Sequence, residues 1–403
     1  MAVERQNFPG RYFPLSEYHE RWRKVHREMK RRGYETALVW GKTGGNFERA
    51  MEISWLSNFS SEYSGQDPDS RAWNARSFAC VILEPGKEPE LHGDAPTPRR
   101  DLIAVRAYYG HADVIAGVVQ ALKRRKMTGR MAFVGSDCLP VKYADQLRTA
   151  TPEITYVFDD DLVRRCRRVK SPRELECYRE AGQIVSSALY RLCDSFYAGK
   201  TAAEAVAEAS REIVRRGGTW HRIPVNFGDT GMFVQRDPTY GYSQDAPKIG
   251  DMVKFSIDGP IHQGYWLDSG RTVVAGGRPS RPQKKLIEDS YSVTEAILEA
   301  IRPGVPMKRV VAAAERRKQA LEQDEDVAAA MWPINGHSNG MMWEPPFISR
   351  VTGDDEEIWE EGMVGGAESF MGRKGVGYAG WEQNFIVTAA GVELLSKTPV
   401  FWF

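Results

Sequence analysis

The chain lacks the cysteine pattern of a thiolate metal site or a disulfide framework. Its five cysteines, Cys80, Cys138, Cys166, Cys177 and Cys193, are odd in number, show no CxxC spacing and stop at residue 193 of 403, so they read as buried free thiols. It also lacks an excess of charge. With 55 Lys and Arg against 54 Asp and Glu, nothing electrostatic favours nucleic acid or an anionic membrane as the main partner, and a small-molecule or dipeptide-sized substrate fits better. Finally, there is no run of about 18 apolar residues, and the N-terminal stretch MAVERQNFPGRYF has no continuous apolar segment, so neither a membrane span nor export is expected and the cytoplasm is the default compartment.

What is present is length, periodicity and well-marked helix starts. A chain of 403 residues is expected to divide into two domains. From Ser16, the positions of Tyr18, Trp22, Val25 and Met29 predict an amphipathic helix that stops at Gly33. The β-rich runs TALVWG, FACVILEP, MAFVG and ITYVFD follow, which makes residues 1–160 a compact α/β domain. Beyond the basic connection RRCRRVK, Ser171-Pro172-Arg173-Glu174 supplies an N-cap, a proline at the first helical position and a capping-box glutamate. A second capping box spans Thr201 to Glu204, and a similar pair of helical stretches returns about 110 residues later, in SRPQKKLIEDSYSVTEAILEAI and VPMKRVVAAAERRKQAL. Both pairs precede β-rich, glycine-rich sequence. Residues 161–403 are therefore expected to form an α+β domain of two related halves with a shared site between them.

The chemistry lies in those two β-rich stretches. In GDMVKFSIDGPIHQGYWLDSGRT, alternation around Val253, Phe255 and Ile257 predicts a strand that delivers Asp258, and a turn returns the chain to Asp268. Later come His337 in INGHSNGMMWEPP, Glu368 in MVGGAESFMG and Glu382 in GWEQNFIVTAAGVELLS. Acids in such apolar settings need a partner when buried, and Arg and Lys are scarce in these segments, so a shared divalent cation is expected. Four carboxylates and one imidazole suit two transition-metal ions such as Mn, Fe, Co or Zn better than a structural zinc.

These five positions, in this order, resemble the metal ligands of the pita-bread superfamily of methionine aminopeptidases, Xaa-Pro aminopeptidases, prolidases and creatinase. Residues 1–160 are similar to the N-terminal domain of its creatinase/prolidase branch. The resemblance implies a dinuclear centre in which Asp258 holds one ion, Asp268 reaches both, His337 and Glu368 hold the second, and Glu382 bridges. It implies a role for Arg271 and Thr272 in orienting Asp268, a metal-activated water, and a homodimer. The segment SSEYSGQDPDSRAWNARSF reads as a long surface loop, with a lid or dimer loop as the alternative.

The chain also departs from the peptidases. Two substrate-contacting histidines of that family fall near Tyr240 and at Trp343 or Glu344, and the remaining domain histidines, His221 and His262, do not replace them. Proton transfer falls instead to Glu344, Tyr240 or a glutamate of the centre, Glu368 or the bridging Glu382. The ten-residue spacing of the aspartates matches the dimethylsulfoniopropionate lyase branch, yet Ser256 and Trp343 stand where that branch has further aspartates. Trp266, Trp343 and Trp381 lie near the ligands in sequence, as core residues or as a cage for a cationic group. Three functions follow: a metal-dependent hydrolase of a C–N bond acting on a small zwitterionic or cationic substrate, a lyase of a sulfonium or betaine-like acid, and a non-catalytic binding protein on the same fold.

Overall fold

The computed structural model describes residues 10–42, 51–61, 77–95, 98–232, 241–321 and 334–400. The chain forms two compact units, Met1–Arg168 and Val169–Phe403. Residue Tyr240 and most of the expected surface loop, residues 62–76, lie outside the described residues.

The first unit contains α1 (Leu15–Arg32), β1 (Ala37–Lys42), α2 (Met51–Ser57), β2 (Phe78–Leu83), β3 (Glu90–Gly93), β4 (Ala107–Gly110), α3 (Val114–Arg124), β5 (Gly129–Val134), α4 (Val141–Ala150), β6 (Ile154–Phe158) and α5 (Asp161–Arg167). Helix α1 ends where the sequence places its stop: Gly33 adopts the left-handed conformation and its N–H reaches the carbonyls of Lys30 and Met29. The strands pair in the order β4-β3-β2-β1-β5-β6. Leu38, Trp40, Phe78, Cys80 and Ile82 from the sheet pack with Val118 and Leu122 of α3 and Leu147 of α4. The four expected runs are β1, β2, β5 and β6, whereas the four-residue strands β3 and β4 carry too few residues for a periodicity to show.

The second unit repeats one plan. Helices α6 (Pro172–Tyr197) and α7 (Ala202–Arg215) precede β7 (Val225–Phe227), β8 (Met252–His262) and β9 (Tyr265–Val274). Helices α8 (Arg281–Ala300) and α9 (Met307–Gln319) precede β10 (Gly336–Asn339), β11 (Trp343–Phe347), β12 (Val364–Arg373), β13 (Gly377–Thr388) and β14 (Gly391–Leu394). Both sequence-read capping boxes form, Ser171 with Glu174 and Thr201 with Glu204, and a third forms between Ser280 and Gln283. The unit is α+β, with sheets ordered β7-β8-β9 and β11-β10-β12-β13-β14. Leu286, Ile297 and Val310 of the second helix pair bury against Trp359, Met371 and Phe385.

Register within these sheets sets up the site. Asp258 on β8 lies directly across from Asp268 on β9, and Glu368 on β12 directly across from Glu382 on β13. Like charges in that relation repel. The two sheets are joined by polar bridges: Thr272 Oγ1 donates to the Gly380 carbonyl at 3.0 Å and accepts from its N–H at 2.8 Å, and Glu382 crosses over Gly270, where an added Cβ would lie 2.7 Å from its carboxyl carbon.

On the other edge of β8, the backbone of Arg222 bridges that of Asp258, and the His221 N–H also donates to the Asp258 carbonyl at 2.8 Å. This close approach requires Gly259, whose φ is 150° and whose added Cβ would meet the His221 nitrogen at 2.2 Å. Gly259→Ala is expected to destabilise the protein by about 3 kcal/mol through backbone strain and overpacking; an unchanged urea midpoint would contradict this account.

Candidate metal centre

The alternation of β8, β9, β12 and β13 turns the four acids toward one cavity of about 250 Å³, and His337 joins them from β10. All five residues expected to bind metal line this cavity. One ligand atom each of Asp268, His337 and Glu368 lies within 4.8 Å of the others. His337 Nε2 is 2.7 Å from Asp268 Oδ2, and its Nδ1 lies 3.2 Å from the Ser338 carbonyl oxygen, which orients the ring.

Asp268 is held by residues the sequence reading did not single out. Asn384 Nδ2 donates to Asp268 Oδ1 at 2.6 Å, and Asn339 Nδ2 donates to the same oxygen at 3.2 Å. Asn384 Oδ1 in turn accepts from the Asp268 N–H at 3.1 Å and from Ser269 Oγ at 2.7 Å. A signal for Asn384 existed: two residues beyond Glu382 on a strand, it shares that face. Asp258 has another partner, with Arg222 Nε donating to its Oδ2 at 2.7 Å. No local pattern in the sequence marks Arg222, because only the register of the sheet brings it there.

Electrostatics follow from burial of so many acids together. Burial raises the pKa of Asp258, helped by Asp268 and opposed by Arg222. Burial, reinforced by the other three acids, pushes Glu382 well above the carboxylate range, and burial with Asp268 and Asp258 lifts Glu368 to about 8 against the pull of His337. Asp268 goes the other way: despite burial, His337 and the two asparagines keep it ionised. Burial disfavours the His337 imidazolium, but Asp268 raises its pKa to about 9. Among the described residues, Asp258 Oδ1 and Glu368 Oε1 are buried without a hydrogen-bond partner. Oxygen donors in surplus of available positive charge, two of them unsatisfied, fit divalent cations held by Asp258, Asp268, His337, Glu368 and Glu382.

Several expected roles fall elsewhere. Trp343 lines the cavity, together with Phe347, Phe370, Phe255 and Pro224. Glu344 does not, because its neighbour on the strand faces inward and it therefore points away, against Gly340. Trp266 sits behind Trp343, the ring centroids 5.6 Å apart, and Trp381 is on the opposite face from Glu382, packed on Arg271 at 4.0 Å and Tyr291 at 5.2 Å. A three-tryptophan cage is therefore not formed. Arg271 does not touch Asp268: its Nη1 donates to the Glu382 carbonyl at 2.5 Å and its Nη2 to Gln383 Oε1 at 2.9 Å. Burial lowers its pKa to about 10. Thr272 bridges to Gly380 as described. His262 pairs with Glu180 at 2.9 Å and His221 lies beside Trp266, outside the cavity lining.

The hairpin that carries His337 and Trp343 is anchored through its main chain. The Gly340 carbonyl accepts from the Tyr178 hydroxyl at 2.6 Å and from the Trp266 N–H at 2.9 Å.

Comparison with known proteins agrees with this geometry. The family model for metallopeptidase family M24 matches residues 176–389. The chain is 31% identical over 252 residues to the probable dipeptidase PepE of Mycobacterium tuberculosis, covering 60% of this chain and 62% of that protein. It thus spans about three fifths of the length of the mycobacterial relatives it matches. Identity to the ectoine hydrolase of Halomonas elongata is 24% over 425 residues, covering 96% and 97%. The Xaa-Pro dipeptidase structure from Bacillus anthracis shares the fold, with a TM-score of 0.75 over 95% of this chain and 98% of that one at 19% identity. Among the described residues, no helix is long and apolar enough to cross a membrane.

Replacing Asn384 by alanine removes the amide that holds Asp268 while leaving all five donors. Affinity for Mn²⁺ or Co²⁺ is expected to fall by roughly 10–100-fold, read by competition with a chromophoric chelator; unaltered affinity would assign the orienting role elsewhere.

Proposed function

The chain belongs to metallopeptidase family M24, and from that premise we propose that it is a metal-dependent hydrolase of a C–N bond, similar to Xaa-Pro dipeptidases and acting on a small zwitterionic substrate. The observation that carries this reading is the convergence of four carboxylates and one imidazole on a single small cavity, with two buried carboxylate oxygens unsatisfied. The relatives named dipeptidase, Xaa-Pro dipeptidase and ectoine hydrolase support a hydrolase.

Five donors suffice for two divalent ions, with Asp258, Asp268 and Glu382 serving one and Asp268, His337, Glu368 and Glu382 the other. Bound there, such ions would supply a water acidified to near neutral pH and a Lewis acid for a scissile carbonyl. The protein's own groups do the rest. Trp343, Phe347 and Phe370 wall the cavity and limit water, and Trp343 offers a ring face to a cationic group. Lys254, its alkyl chain lying across Gly380 and its ammonium 5.2 Å from the Phe370 centroid, puts positive charge on the same wall. Burial brings its pKa down to about 8, opposed by Glu382, and a substrate carboxylate suits it. Proton transfer rests with Glu368, the glutamate that lines the cavity beside His337. The same reading carries a cytoplasmic homodimer.

Protein reconstituted with Mn²⁺ or Co²⁺ is expected to bind at least one equivalent and to release free amine from Xaa-Pro dipeptides or related small amides, with chelation abolishing turnover. Less than about one equivalent of any transition ion removes the metal centre, and release of an alkene and thioether from dimethylsulfoniopropionate replaces the hydrolase by the lyase. Glu382→Ala that kept both metal and turnover would show the ligand set to be wrong. Trp343→Ala is expected to raise KM for a zwitterionic substrate by about 2–30-fold, the range of a cation–π contact, with little change in metal content; equal KM values for the two proteins would dismiss the aromatic contact.

A further inference from the structure

The donor set is not uniform. Asp268, His337 and Glu368 come together around the imidazole, while Asp258 already holds a guanidinium. That pairing is built into the backbone. Arg222 is the bridge partner of Asp258 on the edge of β8, with the Asp258 N–H donating to the Arg222 carbonyl at 3.0 Å and the Arg222 N–H returning to the Asp258 carbonyl at 3.1 Å. Residues in this relation have Cβ atoms about 5 Å apart, so the backbone places the guanidinium within reach of the carboxylate. Trp343 lies against the arginine, the ring centroid 5.3 Å from the guanidinium carbon, and the arginine side chain stays partly exposed. Burial opposes the arginine's charge, yet Asp258, and behind it Glu382 and Asp268, hold it firmly protonated. Those are the three acids that would serve the ion on the Asp258 side.

We propose that Arg222 is a resident cation of this centre, which occupies Asp258 in the metal-free protein and divides the five donors into two unequal metal sites. The site of Asp268, His337 and Glu368 is complete without Asp258 and loads first. The site of Asp258, Asp268 and Glu382 loads only when a divalent ion displaces the guanidinium from Asp258 Oδ2. The displaced guanidinium stays in the cavity as a positive group beside the incoming substrate. Metal supply thus controls the charge that the substrate meets, since one state has Arg222 neutralised by Asp258 and the other has it available. This inference rests on the metal-centre reading of the same cavity.

The test is a calorimetric titration of chelator-stripped, full-length protein with Mn²⁺, paralleled by Co²⁺ absorbance, which reports each ion's coordination without reference to activity. Wild-type protein is expected to bind two ions in separate phases, the second at least tenfold more weakly. Arg222→Met should strengthen the second phase by tenfold or more and leave the first within about twofold, while Arg222→Lys, which keeps the charge, should stay near wild type. Two indistinguishable phases in the wild type, or a second phase unmoved in Arg222→Met, overturn the competition and leave the metal centre standing. The wild-type titration decides the first of these even where the methionine variant does not fold. Wild-type protein that takes up no ion overturns the metal-centre reading itself, and this inference with it.

Discussion

Four carboxylates share one low-dielectric cavity, and the rest of the second unit is organised by the need to keep them there. Each acid of a cross-strand pair faces another acid, an arrangement that repels and that burial makes worse, because an ionised carboxylate away from water needs a compensating charge. The protein supplies only part of that charge from Arg222, His337 and Lys254. The elevated pKa values of Asp258, Glu368 and Glu382 are the signature of the deficit.

Holding acids in this state demands a rigid frame. The frame here is main chain more than side chain. Gly259 lets the segment of His221 and Arg222 approach β8, and Gly270 leaves space for Glu382 to cross from the other sheet. Gly366, opposite His337, does the same for Asp268, whose Oδ1 would lie 2.9 Å from an added Cβ. Arg271 fastens the carbonyl of Glu382, so that a buried guanidinium stabilises the strand instead of touching the donors. The helices contribute from behind, with Ser290 donating to the Ser369 carbonyl and Thr294 to the Trp381 carbonyl.

Much of this was legible in the sequence where local rules apply. Capping boxes at Ser171 and Thr201 fixed two helix starts, and strand alternation with the order of five polar residues pointed to the five residues that meet in the cavity. What escaped was whatever depends on register between distant segments. Arg222 lies 36 residues from Asp258 in sequence and is its neighbour only because an isolated backbone bridge joins its segment to β8. Asn339 reaches Asp268 across 71 residues for the same reason. Nearness in sequence misled in the opposite direction: Trp381 adjoins Glu382 and Glu344 adjoins Trp343, yet each faces away from its neighbour, as a period of two requires. Arg271 was expected at Asp268 and serves a carbonyl instead.

The tether of the β10–β11 hairpin has an evolutionary side. It is fastened by a backbone carbonyl, a group that every amino acid at position 340 would retain, and the lock on that position comes from the lack of room for a Cβ beside Glu344. The side chain at 343 takes no part in the fastening. Mutation can therefore exchange that residue while His337, on the same hairpin, keeps its place. The frame thus separates the residue that walls the cavity at position 343 from the acids and imidazole that meet inside it.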